Sequence, residues 1–71
     1  MKCDLENRLR AIRLQQKKQQ EEIAELAGVS RRTYIRYENG SISPSLISAF
    51  RIADALGIDN PRDIWTYKNP H

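Results

Sequence analysis

Three arginines on one eight-residue stretch carry the chemistry this sequence offers. Residues 31–38 read Arg-Arg-Thr-Tyr-Ile-Arg-Tyr-Glu. On a wheel of about 100° per residue with Arg31 at 0°, Ile35 falls near 40°, Arg32 near 100° and Arg36 near 140°. Tyr34, Tyr37 and Glu38 take the opposite arc, roughly 240–340°. Arg32 and Arg36 are at i, i+4, where like charges cost about 0.2–0.5 kcal/mol. A guanidinium fork matches a phosphate, or the O6/N7 edge of guanine, in two-pronged fashion. An isoleucine among arginines can lie on a thymine methyl. Taken alone, the pattern equally describes a solvated basic face with a stray isoleucine.

Positioning that face falls to the residues just before and after it. Residues 20–27, Gln-Glu-Glu-Ile-Ala-Glu-Leu-Ala, predict a short helix with Ile23, Leu26 and Ala27 as its buried stripe. Glu21 and Glu22 sit in its first turn, where the helix dipole favours negative charge. Gly28 ends it in a left-handed position, and Ser30 caps a second helix over about 31–38, with Thr33 at its third position. Asn39-Gly40 stops that helix. The result is a helix, a tight turn at Gly28-Val29-Ser30, and an arginine-faced helix.

The remaining chain predicts three more helices. Residues 4–16 repeat apolar positions at Leu5, Leu9, Ile12 and Leu14, with Ala11, and Asp4 as cap. Residues 44–56 follow Ser43-Pro44, read as cap and first helical residue, with Leu46, Ile47, Phe50, Ile52, Ala53 and Leu56 as the apolar stripe. Asn60-Pro61 repeats that start signal for a helix over 61–67 containing Ile64 and Trp65. No strand signal is evident. The expectation is an all-α, compact five-helix bundle spanning 1–71 as one domain.

Composition narrows the function. Residues 1–38 hold nine Lys/Arg against six Asp/Glu, and residues 39–71 hold three of each, so the whole net charge of +3 lies in the first half. Concentrated positive charge of this kind fits nucleic acid better than net charge alone does. The one cysteine, Cys3, allows no internal disulfide and no cysteine metal cluster. No apolar run is long enough to span a membrane and no signal segment is present, so a cytoplasmic location is expected. His71 stands at the very end. No nucleophile–base set, phosphate loop or metal-ligand spacing exists, so no enzyme activity, cofactor, metal or small-molecule ligand is expected. A core this small raises the expectation of a second copy.

These residues together also carry a resemblance. Gln20-Glu21-Glu22-Ile23-Ala24, Gly28-Val29-Ser30, Thr33, Arg36-Tyr37-Glu38-Asn39-Gly40, Pro44-Ser45-Leu46 and Ala55-Leu56-Gly57 resemble the Cro and phage-repressor helix-turn-helix family, the xenobiotic-response-element-like regulators. The likeness covers about residues 7–65. It implies a lambda-repressor-like DNA-binding domain, usually homodimeric, that regulates transcription. It implies that residues 31–38 form the recognition helix in the major groove, with Arg31, Arg32 and Arg36 at base edges and Thr33 nearby for a base or a phosphate; Ile35 joins the base-reading face from its place on the wheel. It places Gln20 on a phosphate, Asn39, Gly40 and Ser41 along the backbone, and Arg13 with Glu38 in a partly buried ion pair. Where the family usually has a glycine, an apolar residue and a Ser or Thr cap, this chain has Lys17, Lys18 and Gln19. Lys17 and Lys18 then read either as phosphate contacts or as a solvated loop. Ile64, Trp65 and Tyr67 read either as a cap on the small core or as a dimer interface.

The function expected is a sequence-specific, double-stranded DNA-binding regulator, a small Cro-like repressor on a palindromic operator. The competing readings are the DNA-binding antitoxin of a toxin pair, and a protein-interaction module using the same fold without DNA.

Overall fold

The computed structural model describes residues 5–68; Asp4, Cys3 and His71 lie outside them. The order is β1 (Leu5–Asn7), α1 (Leu9–Gln15), α2 (Gln20–Ala27), α3 (Arg31–Glu38), α4 (Leu46–Ala55), a single 3₁₀ turn (Pro61–Asp63) and β2 (Trp65–Tyr67). The two strands pair antiparallel, Leu5 opposite Tyr67 and Asn7 opposite Trp65. The fold is therefore four α-helices closed by a small sheet, not five helices.

The sheet replaces the start of the first expected helix and most of the last. The first was to begin at residue 4, but Leu5–Asn7 is extended and α1 starts only at Leu9. Asn7 is the kind of residue that prefers a cap to a helix interior, and its Oδ1 accepts from the Leu9 N–H at 3.0 Å. The last helix starts as its Asn-Pro signal requires, with Asn60 Oδ1 accepting from the Arg62 N–H at 3.0 Å. It lasts one turn, because Trp-Thr-Tyr is an aromatic and β-branched run that suits a strand. Two three-residue strands from opposite ends of the chain leave no local pattern long enough to read.

The helices α2 and α4 pack closely, and α2 packs on α3. Ala24 and Ala27 of α2 and Ala49 and Ala53 of α4 are all buried, so small residues bring the helices together. The buried stripe of α4 is accordingly Ala49, Ile52 and Ala53, continued by Leu56. The bulkier stripe expected there is in part outside. Leu46 is 70%, Ile47 64% and Phe50 49% exposed. The helix also starts two residues later than expected: Ser45, not Ser43, is the cap, its Oγ accepting from the Ser48 N–H at 3.1 Å. In α2 the stripe is Ile23, Ala24 and Ala27, with Leu26 exposed. Leu9, Ile23, Tyr34, Ile52 and Ile64 are the largest fully buried side chains.

Each helix ends by the same device, and α1 does so with the wrong residue for it. The N–H just beyond a left-handed residue returns to a carbonyl five residues back. In α3 this is Ser41 N–H to Arg36 O at 3.0 Å, around Gly40 at φ 80°. In α1 it is Lys18 N–H to Arg13 O at 3.1 Å and Lys17 N–H to Leu14 O at 3.0 Å, around Lys17 at φ 57°. The geometry a glycine usually supplies is kept, and a lysine bears it.

Candidate nucleic-acid interface

The helix α3 is held from both ends and along its buried side. Ser30 Oγ accepts from the Thr33 N–H at 3.1 Å and donates to Thr33 Oγ1 at 2.8 Å. Thr33 is thus engaged in its own helix cap. Tyr34 and Tyr37 are buried, while Arg31, Arg32 and Arg36 are exposed and Ile35 is half-buried. The wheel separates the arginine arc from the tyrosine arc as the sequence indicates, except that Ile35 sits lower against the protein.

The end of α3 is tied to α1 by charge. Arg13 Nη2 meets Glu38 Oε1 at 2.9 Å and Arg13 Nε meets Oε2 at 3.0 Å, a two-pronged pair. The side chains are only 11% and 6% exposed. Arg13 Nη1 donates to Lys18 O at 3.0 Å and Gln20 Nε2 to Glu38 Oε1 at 3.4 Å. Burial pushes the Glu38 carboxyl up, but hydrogen bonding with Arg13 and the Arg13 charge outweigh it and hold it below the ordinary value. Hydrogen bonding to Glu38 raises Arg13 further. The Tyr34 hydroxyl is buried beside them without a hydrogen bond of good geometry. Burial first, then the adjacent Glu38, pushes its phenol well up.

The starts of α2 and α3 converge. Arg13, Gln19, Gln20, Glu21 and Arg31 line a polar cleft of about 250 Å³. Free N–H groups and the positive dipole end at a helix start favour an anion, and Arg31 and Gln20 face the same space. Glu21 is the one negative group on its wall.

The structure divides the remaining candidates. Lys17 is exposed. Lys18 instead sends its Nζ to Ala55 O at 3.3 Å, at the carbonyl end of α4. Gln16 Nε2 donates to Leu56 O at 2.7 Å beside it, so the α1–α2 loop is pinned to α4 by polar contacts. Asn39 Oδ1 accepts from the Ser41 N–H at 2.9 Å, leaving an exposed polar turn at the end of α3. Ile64 is fully buried and Trp65 nearly so, whereas Tyr67 is 62% exposed. Ile64 therefore belongs to the core of the single chain.

A helix-turn-helix family model matches residues 9–59. The chain belongs to the helix-turn-helix family of transcriptional regulators, of the xenobiotic-response-element type. This regulator is 38% identical over 65 residues to an uncharacterized HTH-type transcriptional regulator of Methanocaldococcus jannaschii, covering 92% of this chain and 97% of that one. It is 56% identical over 46 residues to an uncharacterized HTH-type transcriptional regulator of Methanothermobacter thermautotrophicus, covering 65% and 67%. Among solved structures it resembles the restriction-modification controller protein C.AhdI of Aeromonas hydrophila, at a TM-score of 0.74 and 36% identity, covering 79% and 83%. Such a regulator is a DNA-binding protein without enzymatic activity. No described helix is long and apolar enough to cross a membrane.

Sequence reasoning missed two features of the regulator's site. Arg51 of α4 brings a guanidinium nitrogen to 3.7 Å from where a Cβ on Gly28 would lie, beside the carbonyl end of α2. Asn7 reaches the other end of α3, donating to Tyr37 O at 3.0 Å and Glu38 O at 3.3 Å. Residue type alone pointed to neither, since both contacts depend on the packing of distant segments.

Proposed function

We propose that the regulator is a small Cro-like repressor that binds a palindromic operator as a homodimer, laying α3 in the major groove. The observation that carries this is the exposed face of Arg31, Arg32 and Arg36 on a helix whose other face and both ends are fixed. Such a face costs the protein a little through charge repulsion and gives nothing back within the fold. Arg32, Ile35 and Arg36 read base edges, while Arg31 and Gln20, sharing the polar cleft, hold a phosphate. Thr33, occupied with Ser30, contributes to the edge of this surface. Lys17, Asn39, Gly40 and Ser41 line the DNA backbone, and Lys18, directed to Ala55 O, serves the loop instead. The likeness to a restriction-modification controller protein supports a controlling role on DNA.

The second copy docks on the face of α4 that the core leaves uncovered. On the wheel, the buried arc Ile52, Leu56, Ala49, Ala53 spans about 240–340° from Leu46, and Leu46, Phe50 and Ile47 extend it to about 100°. This apolar stripe is wider than one protomer uses. It borders an apolar cleft of about 770 Å³ lined by Leu5, Pro44, Ala49, Trp65 and Tyr67. Tyr67 and the rim of Trp65 take part; Ile64 supports them from beneath. A symmetric partner placing the same surface against itself satisfies both copies.

Selection of bound sites from random duplex DNA tests both parts. The expected product is a palindrome with half-sites about one helical turn apart, roughly 34 Å. Recovery of no preferred sequence contradicts the reading, and an unpaired half-site contradicts the dimer.

A further inference from the structure

We propose that Asn7 is a positioning residue for DNA reading, locking the C-terminal end of α3 to the corner between β1 and α1. This rests on α3 being the recognition helix. The last carbonyls of a helix have no partner within it. In α3, Arg36 O receives Ser41 N–H and Tyr37 O receives Gly40 N–H. Asn7 Nδ2 donates to Glu38 O at 3.3 Å and also to Tyr37 O at 3.0 Å, from thirty residues away in the chain. Its Oδ1 meanwhile accepts from the Leu9 N–H at 3.0 Å and starts α1. Only an amide can do this, since it alone among short side chains offers donors and an acceptor on one rigid plane. The orientation is fixed by its partners: two carbonyls on one side and an N–H on the other.

The placement gives the contact leverage. Asn7 stands opposite Trp65 in the sheet, and the next residue, Arg8, sends its N–H to Ile64 O at 2.9 Å. The side chain therefore hangs from the part of the fold where β1 pairs with β2. With the Arg13–Glu38 pair on the side-chain side and Asn7 on the backbone side, residues 37 and 38 are gripped twice. That grip sets the angle at which Arg32 and Arg36 leave the surface.

Asn7→Ser and Asn7→Asp separate this role from simple capping. Both retain an oxygen that can accept from Leu9 N–H, and neither offers the amide donors. Two readouts are needed, at a temperature where every variant is fully folded by circular dichroism. The first is amide hydrogen exchange. Protection of the Asn39, Gly40 and Ser41 N–H groups is expected to fall about tenfold while α2 is unchanged, as the loss of about two modest hydrogen bonds implies. The second is the ratio of affinity for the selected site to affinity for unrelated duplex. It is expected to fall about three- to tenfold, with unrelated duplex bound as before. Unchanged exchange overturns the proposal, as does an equal loss on both duplexes. A wild type that binds every sequence alike, together with altered exchange in the variants, overturns instead the assignment of α3 as reader.

Discussion

Replacing Lys17 by glycine should make the protein more stable. Lys17 holds φ 57°, closing α1 as Gly40 closes α3. A side chain in that conformation costs about 1–2 kcal/mol. Glycine removes this cost, and its freer unfolded chain gives back about 0.4–1 kcal/mol. The net gain is about 0.5–1 kcal/mol, because the exposed Lys17 side chain has no partner among the described residues to lose. For a domain of this size, 1 kcal/mol moves the melting temperature by about 4–8 °C, so a rise of about 2–8 °C is expected. Thermal unfolding followed by circular dichroism measures it, with Lys17→Ala as the control that keeps the strain and should gain nothing. A glycine variant that melts at or below wild type, or an alanine variant that gains as much, refutes the reasoning. DNA binding gives a separate answer on the same variant. If Lys17 of each copy in the proposed dimer meets a phosphate, the log–log salt dependence of affinity should flatten by about 1.8.

Other consequences follow from the same contacts. Arg13→Ala strands a buried carboxylate and should cost about 3–5 kcal/mol in urea unfolding. The Glu38 carboxyl titrates below its ordinary value in the folded protein. Its contribution is therefore complete above about pH 4.5 and is lost as pH falls through the lowered folded value. The penalty of Arg13→Ala should shrink over that acid range, and a penalty independent of pH would contradict the pairing. Tyr34→Phe removes a buried hydroxyl without a well-made hydrogen bond and should change stability by less than about 1 kcal/mol; a loss above about 2 kcal/mol would show a satisfied donor. Phe50→Glu puts a charge on the exposed side of α4 and should leave a folded monomer in sedimentation. An intact dimer would move the interface elsewhere.

The centre of this fold was legible because its signals are local. Gly28, Ser30 and Asn39-Gly40 each act within a few residues, and the helices α2 and α3 have the limits those residues set. The Arg13–Glu38 pair lay beyond local pattern and entered through family resemblance. The sheet was not legible. Leu5 fits a helical stripe as well as a strand, and Trp65–Tyr67 is too short to oppose an Asn-Pro helix start. Only their pairing decides the matter. The face of α4 misled for a different reason. Hydrophobicity ranks Leu46 and Phe50 above Ala49 and Ala53, but close approach to α2 selects the alanines. The larger residues are left exposed.

The most direct test of the central claim is the affinity of wild type and Arg36→Ala for the selected site and for every single-base variant of it. The wild type should lose about 1–3 kcal/mol at each base pair that is read. Arg36→Ala should lose about 1–3 kcal/mol per half-site and become indifferent at one base pair in each half-site, keeping its preferences elsewhere. A loss that is the same for every sequence would make Arg36 a backbone contact, and no loss at all would show that α3 does not read DNA.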